Sequence, residues 1–305
     1  MARLPDPQPL GAGYDAEAEP APLLTIGFVG SGRAASTLAR SLGRAGHRIV
    51  ISRRGASADA LAATMGARLA VAAEVLATAD VTLLAVPDSA IHDVATALAA
   101  RARPGGSRLV AHLSGSQGRE VLEPLAAMGF ATASIHPLQV LSGWRIAPGT
   151  AFAIEAEGPA HALASRLVEE MGGLEISFPA AGRTAYHAAA VMAANLGMTM
   201  LAEAVDLLEA QGIPRADALS GLGSLVRGGL EASMDRGLPA ALTGPVTRGD
   251  IATVALHLET LASDPDLRRA YAATSLLALR QARRDGRPAS AAVAIELSAL
   301  LEKAL

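Results

Sequence analysis

The chain has 305 residues, enough for two domains, with 51% hydrophobic but only 3% aromatic residues. Its net charge is -3 with acidic and basic residues interspersed, which argues against nucleic acid or an anionic membrane as a partner. Cysteine is absent, so disulfides, thiol nucleophiles and cysteine-bound zinc are excluded, and a cytoplasmic location is expected.

Residues 1–21 are predicted to be a flexible leader. The segment contains four prolines and several acidic residues, and it lacks the apolar stretch of a signal peptide. The folded part is therefore expected to start at residue 22.

A glycine-rich turn follows the first predicted strand. The apolar run 24–29 leads into Gly30-Ser31-Gly32-Arg33-Ala34-Ala35, and apolar residues then recur at helical spacing until Gly46. This pattern is the dinucleotide-binding fingerprint with alanine in the third glycine position. Gly30 permits the tight turn and Gly32 lets the backbone approach a pyrophosphate, so residues 30–34 are predicted to bind the cofactor.

The residues after the second predicted strand distinguish between the two nicotinamide dinucleotides. An NAD site would carry an acidic residue here for the ribose hydroxyls, whereas this chain has Ser52, Arg53 and Arg54. Guanidinium groups bind a phosphate in a bidentate manner. The three residues therefore favour the 2′-phosphate of NADP, the alternative being a solvated arginine pair in a loop.

Further strands are predicted at 68–72, 80–88, 108–113, 131–135, 151–155 and 174–178, so the first domain is expected to be a Rossmann-type α/β domain. Val86 and Pro87 end the fully apolar strand and should lie on the cofactor side, since parallel sheets bind ligands at the carboxyl ends of their strands. Asp88 is expected to cap the next helix.

Polar clusters end two neighbouring strands. Ser114 and Ser116 follow the strand that contains His112, and His136 ends the next strand. Hydroxyl groups beside Gly115 suit a substrate carboxylate or the nicotinamide amide, and a histidine can move a proton near neutral pH. Each histidine could instead be a buried residue with purely structural hydrogen bonds.

Beyond residue 179 the pattern becomes helical, with helices expected at 182–211, 215–235, 250–263, 265–284 and 288–304. We therefore predict a Rossmann dinucleotide-binding domain at 22–179 and an all-α domain for substrate binding and dimerisation at 180–305. The uncharged run 184–202 is rich in alanine and poor in leucine, which favours a buried central helix over a membrane span. Its apolar surface predicts a homodimer.

Five motifs carry a resemblance to a known family: Gly30-Ser31-Gly32-Arg33, His112-Leu113-Ser114-Gly115, the segment 134–139, the segment 186–196 and the segment 243–250. The chain resembles bacterial oxidoreductases that join a Rossmann-like domain to the C-terminal domain of unknown function 2520, in the 6-phosphogluconate-dehydrogenase-like superfamily. Some members resemble an alternative type of ketopantoate reductase, and the superfamily includes pyrroline-5-carboxylate reductases. Hydroxyacid and ketopantoate enzymes of the superfamily place a lysine and one or two asparagines on the first long helix of the second domain.

This chain departs from that pattern, since His187 stands in the lysine-like place and Val191 where an asparagine would be expected, while Asn195 keeps an asparagine-like place. His187 or His136 is therefore predicted to donate the proton when a carbonyl is reduced, with Asn195 holding the substrate or the cofactor amide.

Arg248, in a predicted loop at 243–250, is a candidate clamp for a substrate carboxylate, unless it forms a structural pair with Asp250, which should cap the following helix. No metal-binding spacing occurs among the histidines.

The resemblance and the residues together predict an NADPH-dependent reductase of a small oxo acid, similar to ketopantoate reductase, with hydride transfer in the cleft between the domains. The alternatives are an imine reductase of the pyrroline-5-carboxylate type and a protein that binds NADP(H) without turnover.

Overall fold

The structure, a computed structural model, describes residues 22–102, 108–177, 180–287 and 290–305. The chain divides into two compact units, the first ending at Val191 and the second running from Met192 to Leu305. The predicted leader and the predicted domain boundary at residue 179 lie outside the described residues.

The first unit is built on a sheet in which eight strands are described. They are β1 (Thr25–Val29), β2 (Arg48–Ser52), β3 (Arg68–Ala70), β4 (Val81–Leu84), β5 (Leu109–His112), β6 (Ala131–Pro137), β7 (Ala151–Glu155) and β8 (Leu174–Ile176). Their order is β3-β2-β1-β4-β5-β6-β7-β8, and all neighbours pair in parallel except β6 and β7. A parallel order that reverses beside β1 is the Rossmann topology, which confirms the predicted fold class.

Helices cover both faces of this sheet. They are α1 (Arg33–Arg44), α2 (Ala56–Met65), α3 (Ala72–Thr78), α4 (Ile91–Ala99), α5 (Glu123–Ala126) and α6 (Gly158–Glu170), and the unit ends with α7 (Arg183–Val191). No helix was predicted at α2 or α3. The first is an alanine-rich stretch with a weak apolar pattern, and the second has seven residues, too few for helical periodicity to show.

Two apolar clusters hold the helices to the sheet, one on each face. Adjacent strand residues alternate between them: Phe28 and Leu83 pack with α1, α2 and α6, whereas Val29 and Leu84 pack with α3, α4 and α5. All four residues of β4 are buried. Burial on both faces explains why β4 reads as a continuous apolar run in the sequence.

The carboxyl ends of four strands meet at one edge of the sheet, because β1, β4, β5 and β6 are adjacent and parallel. The register pairs Val29 with Leu84, Leu84 with His112, and His112 with Ser134. The segments that leave these strands therefore follow one another along a single edge, which is the edge where open α/β sheets bind ligands.

The second unit is helical throughout its described part. After a π-helical turn at Met192–Leu196 it contains α8 (Gly197–Glu209), α9 (Arg215–Arg236), α10 (Leu238–Ala241), α11 (Pro245–Arg248), α12 (Ile251–Thr260), α13 (Pro265–Arg284) and α14 (Ala291–Glu302). Its core includes Val254, Leu279 and Leu301 from the last three helices.

The predicted loop at 243–250 was wrong in part, since α11 lies within it. The predicted cap is confirmed, because Asp250 accepts a hydrogen bond from the Thr253 amide at 3.1 Å.

The helical run Arg183–Glu209 differs from the predicted buried helix. It is long and apolar enough, by length and composition alone, to cross a membrane, and only 6% of its most apolar window is buried. Exposed side chains along it include Met192 at 57% and Leu196 at 53%. The single chain therefore leaves this run uncovered.

Candidate functional site

The glycine turn after β1 has the geometry of a phosphate-binding turn. Gly30 has φ +114°, and a Cβ there would lie 2.2 Å from the carbonyl oxygen of Ala85, so only glycine lets the turn pass the end of β4. Gly32 precedes α1 as its N-cap and offers no capping side chain, and a Cβ there would meet nothing within 4 Å. The first amides of α1 therefore remain available to an anion, and the turn fits a pyrophosphate.

Two residues that were predicted to bind the cofactor at this turn already form hydrogen bonds within the protein. The amide of Gly30 donates to Oγ of Ser52 at 3.3 Å, and Ser52 is 5% exposed. Oγ of Ser31 lies 2.7 Å from Oγ of Ser57 at the start of α2. Ser52 thus holds the turn in place, and a role as a phosphate ligand stays a prediction.

Three arginines follow the glycine turn and the end of β2 in the chain. Arg33, Arg53 and Arg54 are exposed, and among the described residues none of the three forms an ion pair. The amide of Arg53 donates to the carbonyl of Ala70 at 2.7 Å, which ties the end of β2 to β3. The backbone is therefore fixed while the guanidinium groups are available to a phosphate.

The segment after β4 corrects one prediction. Val86 is half-buried and Pro87 is exposed, and Asp88 begins a 3-10 turn without capping any helix. The Asp88 carboxylate instead accepts a hydrogen bond from the hydroxyl of Ser116 at 2.7 Å. Asp88 therefore links the segments that follow β4 and β5.

The segment after β5 uses its own hydroxyls and histidine to hold its shape. Oγ of Ser114 accepts from the amides of Ser116 and Gln117 at 3.2 and 3.1 Å. Nδ1 of His112 accepts from the Ser114 amide at 3.2 Å, so Nε2 carries the proton and donates to the carbonyl of Gly118 at 3.0 Å. Burial lowers the pKa of His112. His112 is therefore a neutral structural residue, and the two serines hold the loop.

Two histidines converge over Gly115. A Cβ on Gly115 would lie 2.7 Å from Nε2 of His136, at the end of β6, and 2.7 Å from Nδ1 of His187, on α7. The two rings meet edge to face with their centroids 6.1 Å apart. Nδ1 of His187 is buried and has no hydrogen-bond partner within the described chain. A buried polar atom without a partner is costly, so a ligand is expected there.

Tyr186 completes the cluster and was missed by the sequence analysis. Its hydroxyl lies 2.7 Å from Nδ1 of His136, and burial raises the pKa of Tyr186 to about 12. The pKa of His136 is lowered to about 4, because burial disfavours the imidazolium and because His187 and Arg183 add positive charge nearby. The only signal in the sequence was its position beside His187.

A buried ion pair lies behind the cluster. Arg183 is 7% exposed, forms an ion pair with Glu155 on β7, and donates to Oγ of Ser134 at 3.3 Å. It begins α7, so the pair anchors this helix to the sheet. Neither partner was predicted, since nothing in the sequence pattern links β7 to α7.

A loop after β6 is tied to the helix that starts at the glycine turn. Ser36 donates to the carbonyl of Gly143 at 3.1 Å, and Thr37 accepts from the Gly143 amide at 2.9 Å. Ser41, one turn further along α1, accepts from the amide of Ile146 at 2.9 Å. These bonds hold α1 against the loop that follows β6, the strand that contains His136.

The remaining predicted residues belong to the second unit. Asn195 is exposed on the π-helical turn, where its carbonyl accepts from the Thr199 hydroxyl at 3.1 Å. Arg248 is exposed at the end of α11 and forms no ion pair with Asp250 in the described structure. Their roles stay predictions. Among the residues that the structure describes, no group of three or more possible metal ligands occurs.

Comparisons with known proteins agree with this fold. Residues 12–137 match the family described as a Rossmann-like domain, and residues 150–278 match the domain of unknown function DUF2520. No curated protein sequence matches the chain.

Several solved structures are similar over most of their length. BF3122 from Bacteroides fragilis, provisionally described as an NADP oxidoreductase, is 26% identical with a TM-score of 0.71, over 83% of this chain and 96% of that chain. A pyrroline-5-carboxylate reductase from Coxiella burnetii is 18% identical with a TM-score of 0.58, over 85% and 97% of the two chains. An imine reductase from Streptomyces aurantiacus is 20% identical with a TM-score of 0.58, over 90% and 99%.

Gly115→Ala is expected to push the two imidazoles apart, because the added methyl group would occupy the space between their nitrogens. Overpacking of this kind costs about 1–3 kcal/mol of folding free energy. Chemical denaturation and the NMR signals of the histidine rings would measure both effects. Gly118→Ala in the same loop is the matched control, since the atoms nearest to its Cβ would be those of the flexible Glu120 carboxylate. Unchanged ring signals in Gly115→Ala would contradict the convergence.

Proposed function

We propose that this chain, a Rossmann-like protein that carries a DUF2520 domain, is an NADPH-dependent reductase of a small oxo acid in which His187 donates the proton. The observation that supports it most is the convergence of two imidazole nitrogens over Gly115. They lie at the sheet edge that also carries the dinucleotide turn. An oxidoreductase activity agrees with the Rossmann fold. It also agrees with the description of the similar protein from Bacteroides fragilis as an NADP oxidoreductase.

The choice of NADP over NAD is supported by the charges after β2. Arg53 and Arg54 are exposed where an NAD site would place a carboxylate, and Arg33 adds a third guanidinium beside the turn. A 2′-phosphate would find bidentate partners there. The open amides of α1 would hold the pyrophosphate.

The chemistry requires a proton for the reacting oxygen. When bound, the dinucleotide supplies a hydride to the carbonyl carbon, and the electron pair of the C=O bond moves to oxygen. A proton held at Nδ1 of His187 then bonds to that oxygen, which gives the alcohol and leaves His187 neutral until water reprotonates it. Nδ1 of His187 has no hydrogen-bond partner among the described residues, which supports this role because its hydrogen-bonding capacity is not used within the protein.

An oxo acid such as ketopantoate is proposed as the substrate. A cyclic imine is the alternative, because one proton donor serves a C=N bond as well as a C=O bond, and structurally similar proteins include a pyrroline-5-carboxylate reductase. Arg248 is the proposed partner of the substrate carboxylate, and Asn195 of a further polar group. A third possibility is a protein that binds NADP(H) without turnover.

His187→Ala is expected to lower kcat by about 10²-fold or more while leaving the Kd for NADPH unchanged, since general acid catalysis typically supplies 10²–10⁴-fold. NADPH oxidation, followed by absorbance with ketopantoate, other oxo acids and cyclic imines, would measure it. Unchanged kcat would exclude His187 as the donor. Tight NADPH binding with no turnover across the panel would favour the non-catalytic alternative.

Arg53→Ala and Arg54→Ala are each expected to raise the Kd for NADPH by about tenfold, or 1.4 kcal/mol, without changing the Kd for NADH. The reason is that only the 2′-phosphate distinguishes the two ligands. Fluorescence titration with both dinucleotides would measure the effect. Arg101→Ala, which removes an exposed guanidinium from the end of α4, is the control. Equal losses for NADPH and NADH would refute a 2′-phosphate site.

A homodimer is proposed because α9 exposes an apolar stripe. Leu219, Val226, Leu230 and Met234 lie at helical spacing and are 52%, 48%, 62% and 81% exposed. Helix α8, which packs on α9, adds exposed apolar residues. Glycines within α9 would let a partner helix approach closely. Surface of this extent rarely stays in contact with water, and a second copy is the proposed cover.

Leu230→Glu is expected to give a folded monomer at micromolar concentration, because a buried charge at the stripe opposes association. Sedimentation velocity would show the change, with circular dichroism to confirm the fold. Leu256→Glu on α12 is the matched control, since Leu256 is also 62% exposed and lies outside the stripe. The proposal would be overturned if the native protein sedimented as a monomer. It would also be overturned if the native protein could be sedimented only in complex with detergent or lipid.

A further inference from the structure

We propose that Tyr186 is a positioning residue that keeps the proton of His136 on Nε2, so that His136 binds the reacting atom as a fixed hydrogen-bond donor while His187 alone supplies the proton. The inference deepens the proposed function and rests on it. It assigns different roles to two histidines that the sequence leaves equivalent.

The hydrogen bond between Tyr186 and His136 has a preferred direction. The phenol oxygen and Nδ1 are 2.7 Å apart, and the rings meet edge to face at 85°. With its pKa raised to about 12, Tyr186 keeps its proton at neutral pH. A phenol is a better donor than a neutral imidazole, and an imidazole nitrogen is a better acceptor than a phenol oxygen. Tyr186 therefore donates to Nδ1, and the ring proton of His136 resides on Nε2.

The charges around His136 keep it neutral. The groups that act on it are His187 and Arg183 from α7, Asp88 from the segment after β4, and His112 from β5. Protonation of His136 is opposed by burial and by the positive charges of His187 and Arg183. These effects outweigh the favourable negative charge of Asp88, so the pKa of His136 falls to about 4. At pH 7 His136 can donate a hydrogen bond but has no acidic proton to transfer.

The geometry brings this donor close to Nδ1 of His187. Nε2 of His136 and Nδ1 of His187 each lie 2.7 Å from the position that a Cβ on Gly115 would take, so the two nitrogens are close enough to share one acceptor. A carbonyl oxygen near them could accept a hydrogen bond from the first nitrogen and a proton from the second. Negative charge that develops on this oxygen would be stabilised by a donor already in place, which is the usual advantage of preorganised donors.

The chain supplies a matched comparison. His257 and Tyr271 in the second unit form a similar pair, with Nδ1 and the hydroxyl 2.8 Å apart and an angle of 86° between the rings. Neither residue belongs to the proposed site. Tyr271→Phe therefore removes the same kind of hydrogen bond without touching the candidate chemistry.

The first experiment is side-chain ¹H–¹⁵N NMR of the whole protein across pH, which reports the tautomer and pKa of each histidine without any turnover. His136 is expected to carry its proton on Nε2 and to titrate at about 4. In Tyr186→Phe the ring should populate both tautomers and titrate at a higher pH, because the bond that stabilises the neutral form is gone. Tyr271→Phe should leave His136 unchanged.

The second experiment separates the roles by conservative replacement. His136→Gln keeps an N–H near the position of Nε2, so it should retain at least about ten times more kcat than His136→Ala. His187→Asn places an amide near Nδ1 but has no acidic proton, so it should be as inactive as His187→Ala. The pH dependence of kcat should gain a second inflection on the acid side in Tyr186→Phe alone.

Several results would overturn the inference. A proton on Nδ1 of His136, titration of native His136 near 6.5, or equal loss in His136→Gln and His136→Ala would do so. The inference would also be overturned if Tyr186→Phe changed the stability of the protein but neither the tautomer of His136 nor the pH profile of kcat. If no substrate is reduced while the NMR result holds, the proposed function is wrong and the fixed tautomer remains.

Discussion

The carboxyl ends of four adjacent parallel strands share one edge of the sheet, and the candidate chemistry depends on this constraint. Gly30, Asp88, Gly115 and His136 are far apart in the sequence, yet each follows or ends one of these strands. Parallel pairing alone brings them into one row. The bonds between neighbouring segments, such as Ser116 to Asp88, then set each loop relative to the next.

Within that row the missing side chain of Gly115 matters as much as the side chains around it. Two imidazoles occupy the space where a Cβ would lie. Arg183 and Glu155 hold α7, which carries His187 and Tyr186, against the strand that ends in His136. The buried guanidinium thereby anchors the helix and also opposes protonation of His136. Packing and electrostatics act on the cluster through the same residue.

Much of this could be predicted from the sequence because the signals were local. The glycine fingerprint, the buried strands and the change to helices after residue 179 depend on neighbouring residues, and the fold class followed from them. Tyr186, Arg183 and Glu155 were missed because their partners lie 28 to 50 residues away. The cap predicted for Asp88 was wrong because a tertiary partner, Ser116, competed with the local amides. Helix α3 was missed because seven residues carry no clear period.

The tie between α1 and the loop after β6 has a consequence for the order in which the protein folds. Thr37 and the amide of Gly143 are 106 residues apart. Closing so long a loop is entropically costly, so such contacts form after local ones. The helix behind the cofactor turn can form early from its own residues, but it reaches its final setting only when the strand that carries His136 is in place. The glycine turn and the sheet edge that carries His136 would then reach their final conformations in the same late step of folding.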